Sequence, residues 1–208
     1  MSLRRSALAL ALVAALAAAA GCALVRHREV SGMWRLVPAE SALHFVGIKN
    51  NAVGVTGTFA SLEGAYDADK RSGFVDVKLG STATGDATRD ENLRAHFFEV
   101  AKFPVARVEV SGIPAAESLP EPGGRTNVEL AATLALHGAT VPLKVKASVW
   151  RDLQNHLHVQ NEAPVVLSVH DLGMDAQLAA LKAVCGHESL SGAIPVDFSL
   201  GFAPVAAD

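Results

Sequence analysis

Between Asn127 and Trp150 the chain holds a two-residue apolar period through two consecutive runs, a pattern that no helix can bury on one side. Val128, Leu130, Ala132, Leu134 and Leu136 alternate with Glu129, Ala131, Thr133, Ala135 and His137. After the turn-like His137-Gly138-Ala139-Thr140, Val141, Leu143, Val145, Ala147 and Val149 alternate with Pro142, Lys144, Lys146, Ser148 and Trp150. Successive side chains on a strand point to opposite faces, so each run has one apolar and one more polar side. The pattern predicts a long antiparallel hairpin that needs further strands to cover its apolar face.

Those strands are written along the rest of the chain. Trp34 to Ile48 carries Leu43 and Phe45 in alternation with Ala42 and His44, and Val53 to Tyr66 is punctuated by Gly54, Gly57 and Gly64, which permit bulges and tight bends. From Phe74 to Thr82, Val75, Val77 and Leu79 fall on one face and Asp76 and Lys78 on the other. A strand or pair is expected over Leu157 to Val169. The last strand, Leu190 to Phe202, puts Ile194, Val196, Phe198 and Leu200 on one face, with Pro195 marking an edge or bulge. Two short helices are expected, Asp90 to Phe98 with Asp90 as its cap, and Asp175 to Val184. Neither is large enough to organise a core. The expected fold is all-β, with about eight antiparallel strands closing into a barrel and thereby removing exposed edges. A sandwich is the alternative. An eight-stranded barrel is either filled by its own side chains or holds one small ligand; both stay open, and periodicity alone favours the filled interior.

Composition adds limits. Half of the 208 residues are apolar but only 5% are aromatic, and the formal charge is −3, so neither a disordered chain nor a nucleic-acid surface is indicated. Part of the apolar excess sits at the start. Met1-Ser2-Leu3-Arg4-Arg5 is a basic segment, and Ala7 to Ala20 is an apolar run short for a membrane span, which together read as an export signal over residues 1–21. Ala19-Ala20-Gly21-Cys22 resembles the lipobox of bacterial lipoproteins, although Ala19 stands where leucine is usual. The expectation is a lipidated Cys22, a tether over residues 22–31 and a barrel domain over residues 32–204, facing the periplasm from the outer membrane. Cleavage after Ala18-Ala19-Ala20 by ordinary signal peptidase is the alternative. Cys185 then has no partner within the chain, and its neighbours Leu181, Ala183 and Val184 suggest a buried thiol on a helix face.

The segment Thr84-Gly85-Asp86-Ala87-Thr88-Arg89-Asp90-Glu91-Asn92-Leu93-Arg94-Ala95-His96-Phe97-Phe98-Glu99-Val100-Ala101-Lys102-Phe103-Pro104 resembles the signature of the YceI-like family of bacterial polyisoprenoid-binding proteins. Trp34, Ser41-Ala42-Leu43-His44-Phe45 and Gly57-Thr58-Phe59 resemble its opening strands, and Leu134 to Thr140 its hairpin motif. The resemblance runs from about Met33 to Phe202. It implies an extended lipocalin-like barrel, a helix packed at one end, and an apolar tunnel holding a polyprenyl chain or an isoprenoid quinone tail. The departures are Asn50 after Lys49, where many members carry histidine, and the longer helix before the last strand, which indicate a divergent branch.

On this reading the lumen is walled by Phe45, Val75, Val77, Leu79, Leu130, Leu134, Leu136, Val145, Val149, Ile194, Val196 and Phe198, with Thr84, Arg89, Asp90, Phe97, Phe98 and Phe103 as a plug. Arg89 has the forked donor that suits a phosphate head group, but a structural role is the plainer expectation: Asp90 capping the helix and Arg89 pairing locally. His156 and His158 share a strand face at a spacing of two, with no Cys or carboxylate pattern beside them to suggest a metal site. His187-Glu188-Ser189 has the residue types of a hydrolase triad without a Gly-x-Ser-x-Gly elbow, so no catalytic residue and no enzyme is expected. No cofactor beyond the lipid is expected, and no nucleic-acid partner; the membrane is met through the anchor. Two other readings stay open: a metal or redox accessory protein using its histidines and Cys185, and a ligand-free scaffold barrel.

Overall fold

The turn of the central hairpin is two residues long. His137 and Gly138 both have positive φ, 53° and 84°, the geometry whose twist matches that of the flanking strands. Ala139 and Thr140, expected in the turn, already belong to the second strand. The computed structural model describes residues 31–115 and 118–205; the signal segment, Cys22 and all of the tether but Ser31 lie outside the described residues.

Twelve strands are present among these residues: β1 (Met33–Leu36), β2 (Ala42–Lys49), β3 (Val53–Phe59), β4 (Leu62–Asp67), β5 (Ser72–Lys78), β6 (Thr82–Ala83), β7 (Val105–Ser111), β8 (Arg125–Leu136), β9 (Ala139–Arg151), β10 (Leu157–Asn161), β11 (Val165–Ser168) and β12 (Ala193–Pro204). Eight of them close a ring in the order β1-β4-β5-β7-β8-β9-β10-β12, with β12 pairing back to β1 through Trp34 and Pro204. All the pairings are antiparallel. The fold is therefore a closed antiparallel barrel. β12 is long enough to serve two neighbourhoods: Ser199 to Phe202 meets β10 and Phe202 to Pro204 meets β1, whereas Ala193 to Ser199 meets β11 and β2, and β2 continues into β3 and β6. Pro195 sits where β12 is paired through Val166 of β11 but not yet with β2, which joins at Val196.

Several expected boundaries are corrected. Trp34 to Ile48 is two strands, because Pro38 opens a 3₁₀ turn over Pro38–Glu40 that redirects the chain. Val53 to Tyr66 is likewise divided into β3 and β4, and Phe74 to Thr82 ends in a second 3₁₀ turn, Leu79–Ser81. β7 was not expected at all, although Ala106, Val108 and Val110 alternate with Arg107 and Glu109. The first helix, α1 (Ala87–Asn92), begins earlier than expected and is capped by Asp86, whose side chain accepts a hydrogen bond from the Arg89 N–H at 2.9 Å. It runs on as a π-turn over Leu93–Phe97. The second helix, α2 (Asp175–Cys185), ends at Gly186 in the left-handed region, φ 62°, as a helix terminus of this type requires. α1, the π-turn and α2 pack on one another across one end of the barrel.

The inward faces carry the apolar set. In β8 and β9, Leu134, Leu136, Val145, Ala147 and Val149 are buried while Glu129, Lys144 and Lys146 are exposed. Asp76 departs from this rule: it lies on the polar face of β5 but is only 8% exposed, because Arg107 on β7 lies across it with two hydrogen bonds of 2.7 Å. That bidentate pairing holds the Asp76 carboxyl below its ordinary range, against the opposing effect of burial.

Candidate functional site

Inside the ring the side chains stop short of filling the space. A cavity of about 320 Å³ runs along the barrel, from Leu178, Leu181 and Leu190 under the helices to Ile113, Pro114 and Leu119 at the far end. Its wall is almost wholly aliphatic and aromatic; Tyr66 and Ser191 supply the polar side chains. Val, Leu and Ala dominate the strands that face it, and their short side chains leave the axis open where larger aromatics would have met across it.

All of the residues expected to face the lumen stand on this wall: Phe45 on β2, Val75 and Val77 on β5, Leu79 just after it, Leu130, Leu134 and Leu136 on β8, Val145 and Val149 on β9, and Ile194, Val196 and Phe198 on β12. Sequence reasoning missed the share of β7, where Ala106, Val108 and Val110 also line the space, and that of Ile113, Pro114 and Leu119. The β7 alternation was visible; these three residues carry no periodic signal.

The helix end is closed by aromatic packing. Phe45 and Phe59 are 5.4 Å apart between ring centroids, Phe59 and Phe98 5.8 Å, and Phe98 and Phe97 5.0 Å. Phe97 and Phe98 thus reach the cavity, but Phe103 does not. It lies outside, 4.0 Å from the His137 ring, where it supports the β8–β9 turn. Phe45 gains its position because Gly57 on β3 has no side chain; a Cβ there would collide with the Phe45 ring.

The polar members of the same segment are knitted together. Asp90 Oδ1 accepts hydrogen bonds from the Thr84 hydroxyl at 2.6 Å and the Thr84 N–H at 2.8 Å, so Asp90 braces the turn before α1 instead of capping it. Arg89 donates to the Thr84 carbonyl at 3.4 Å and pairs with Asp86 at 3.6 Å. Beside it a smaller pocket is lined by Lys49, Val55, Thr84, Arg89, Cys185 and His187, and it shares Phe45, Gly47, Leu93, Leu181 and Leu190 with the wall of the main cavity. Burial pushes the His187 ring below its usual value, and the positive charges of Lys49 and Arg89 push it further down. Cys185 is half-buried at the end of α2 and accepts a long hydrogen bond, 3.6 Å, from Asn92.

His156 and His158 do not share a strand face. His156 precedes β10 and its Nδ1 lies 3.0 Å from Glu40, while His158 Nε2 lies 3.0 Å from Asp152 and its ring stacks on Trp150. Glu40 is brought in by folding from a distant part of the chain, whereas Asp152 stands near both histidines in sequence, and Glu40, Asp152 and His158 offer ligand atoms within 4.8 Å of one another. Burial opposes ionisation of Asp152, but hydrogen bonds from His158 and the His156 N–H outweigh it and keep the carboxyl below its usual range. As they stand, these groups form two histidine–carboxylate pairs: Glu40–His156 fastens the turn before β2 to the β9–β10 connection, and Asp152–His158 ties that connection to β10.

Comparisons with known proteins agree with this architecture. A polyisoprenoid-binding domain from Saccharophagus degradans, described as implicated in plant cell wall breakdown, superimposes with a TM-score of 0.77 at 29% identity, covering 82% of this chain and 98% of that one. BcnA of Burkholderia cenocepacia shares the fold at 14% identity, with a TM-score of 0.60 over 80% of this chain and 98% of its own. A UPF0312 protein of Pseudomonas fluorescens is 31% identical over 142 residues, 64% of this chain and 70% of that protein. The YceI-like domain itself is matched over residues 34–202, from the buried Trp34 of β1 to Phe202 near the end of β12, and so over the whole closed ring: the chain belongs to the YceI-like family.

Proposed function

We propose that this protein is an envelope lipoprotein that takes a long-chain apolar ligand of the polyisoprenoid or quinone type into the barrel and carries or sequesters it in the aqueous periplasm. The observation that carries the reading is the cavity: about 320 Å³, enclosed by a closed sheet, with an aliphatic and aromatic lining. A hydrocarbon tail fits such a lining because it strands no polar group there. At roughly 25 cal/mol per Å² of apolar surface removed from water, a long tail is held firmly without hydrogen bonds. The related domain from Saccharophagus degradans, whose name records polyisoprenoid binding, supports the same ligand class.

On this reading the protein is a binder and not an enzyme, and Cys22 anchors it to the outer membrane. The acyl chains of such an anchor, at about 0.8 kcal/mol per buried methylene, would hold the barrel beside the bilayer from which its cargo is drawn. The test is native mass spectrometry of the protein extracted gently from its own membranes. A co-purifying species with the mass of an isoprenoid lipid or quinone is the expected result; a protein that neither brings such a lipid with it nor takes one up from vesicles would overturn the carrier role.

A further inference from the structure

The β9–β10 connection lies at the end of the barrel away from the helices, since it is the start of β9, and not its end, that is tied to α2 through Glu99. There Glu40 of the Pro38–Glu40 turn, Asp152 of the connection and His158 of β10 converge, each with a ligand atom within 4.8 Å of the other two. None of the three lines the cavity, so a hydrocarbon cargo gives them nothing to do. The cluster is held in place from several sides. Glu40 sits over Gly201 of β12, the residue paired with His158; a Cβ at position 201 would come within 2.7 Å of the Glu40 Cβ and 2.9 Å of its Oε2. The Val37 N–H donates to the Gly201 carbonyl at 2.8 Å, and the Gly201 N–H donates to the Ser41 hydroxyl at 3.1 Å, which fixes the turn there. His158 is stacked on Trp150 with its Nε2 3.0 Å from Asp152 Oδ2. His156 serves both acids: its Nδ1 lies 3.0 Å from each Glu40 oxygen, and its backbone N–H donates to Asp152 Oδ1 at 2.7 Å.

Two histidine–carboxylate fasteners need not meet. Here Glu40 of one pair and Asp152 and His158 of the other turn their atoms to a common point, and two carboxylates so close repel unless a cation lies between them. We propose that Glu40, Asp152 and His158 form a binding site for a divalent transition-metal ion, zinc above all, with His156 as the residue that orients both carboxylates. Two carboxylate oxygens and an imidazole nitrogen are a ligand set that zinc accepts, whereas calcium and magnesium take oxygen and gain little from the ring. The four side chains are 15–34% exposed, so the ion can enter from solvent and complete its tetrahedron with water. It takes the place of the proton between His158 Nε2 and Asp152 Oδ2, and His158 binds it as the neutral ring with its remaining proton on Nδ1. Bound there, the ion would clamp the turn before β2 to the β9–β10 connection and to β10. This site is independent of what the cavity holds.

The experiment is calorimetric titration of the full chain and its variants with zinc chloride, and with calcium and magnesium chloride for comparison. The parent should bind one zinc ion per chain, at least about tenfold more tightly than either other ion. Glu40→Gln and His158→Gln should each weaken zinc binding more than tenfold, and His156→Gln by about 10–100-fold, the usual effect of losing a group that orients a ligand. His170→Gln, which alters a histidine 84% exposed beside Asp175 of α2, should leave it unchanged. Zinc should also raise the melting temperature of the parent and not that of Glu40→Gln. Glu40 is the most exposed of the four, so Glu40→Gln decides the matter if a histidine variant melts early without metal. A parent that binds no zinc would overturn the site, and so would equal binding by the parent, Glu40→Gln and His158→Gln. Zinc lost only in His170→Gln would place it beside the helices and overturn the site equally. Calcium or magnesium held as tightly as zinc would overturn the assignment to a transition metal.

Discussion

Glu99 Oε2 lies 2.9 Å from His137 Nε2, which ties the end of the signature segment to the two-residue turn of the central hairpin. The same carboxylate accepts from Lys102 at 2.6 Å and from Gln177 of α2 at 3.0 Å, so one side chain holds the π-turn, the β8–β9 turn and the second helix together. Its own backbone is left-handed, φ 46°, an uncommon conformation for a residue other than glycine. These hydrogen bonds lower its pKa from 4.5 to about 2, with that from Lys102 contributing most. A depressed carboxylate stabilises the fold above its unfolded pKa and loses that contribution as pH falls through the folded value. The parent protein should therefore melt higher than Glu99→Gln by a constant margin near neutrality, and the margin should vanish between pH 4.5 and about 2. Thermal melts across that range check it.

The Phe45 ring lies over Gly57, and a Cβ at position 57 would drive it out of the aromatic row. Gly57→Ala should cost about 1–3 kcal/mol, the usual range for overpacking a core. Phe45→Leu should cost less in the Gly57→Ala background than alone, because the smaller side chain makes room for the new methyl. Denaturant unfolding of both single variants and the double variant measures the coupling, and strictly additive losses would mean that the two residues do not collide.

Tyr66 is only 7% exposed, and its hydroxyl has no hydrogen-bond partner among the described residues. Burial raises its pKa, so the neutral phenol is retained throughout the physiological range. An unsatisfied buried hydroxyl costs about 1–3 kcal/mol, so Tyr66→Phe should leave the lipid-free protein as stable or more stable. A fall in melting temperature would show that the hydroxyl has a partner in solution.

The barrel was legible in the sequence because its walls alternate. Leu134 and Val145 reach the lumen by the same period-two rule that puts Lys144 on the surface, and a rule of that kind needs no tertiary information. What escaped were features decided by exact local geometry or by distant chain. Asp90 looked like a helix cap, but Asp86 stands at the right distance from the Arg89 N–H and Asp90 turns back to Thr84. His156 and His158 met carboxylates from Glu40 and Asp152, the first more than a hundred residues away in sequence. Phe103 followed Phe97 and Phe98 in the signature yet packs on His137 outside the barrel. Periodicity favoured a filled core over the hollow one that the barrel has, because whether facing Leu and Val side chains meet depends on the radius of the closed ring.

Lipidation has a direct mass test. An acylated Cys22 makes the mature protein heavier than the chain cut before residue 22, and Cys22→Ser should remove that increment and release the protein from the membrane fraction. A mass that changes only by the exchange of sulfur for oxygen, with parent and variant both in the soluble fraction, would establish that ordinary cleavage occurs and that the barrel is free in the periplasm.

Leu134 offers a way to separate ligand binding from folding, because it is 4% exposed and faces the cavity beside Val141 of the neighbouring strand. Leu134→Ala removes packing and enlarges an existing void, so it should destabilise by about 2–5 kcal/mol. Leu134→Trp acts in the opposite sense. A packed core would resist the added volume, but here the indole can extend into about 320 Å³ of open space, and the expected loss stays near the low end of the overpacking range, about 1 kcal/mol. Occupying that space should nevertheless displace the ligand, lowering tail affinity at least tenfold as read by uptake of a prenyl lipid from vesicles. A Leu134→Trp protein that keeps both its stability and its full affinity would mean that the ligand lies elsewhere, whereas severe unfolding would mean that the cavity closes in solution.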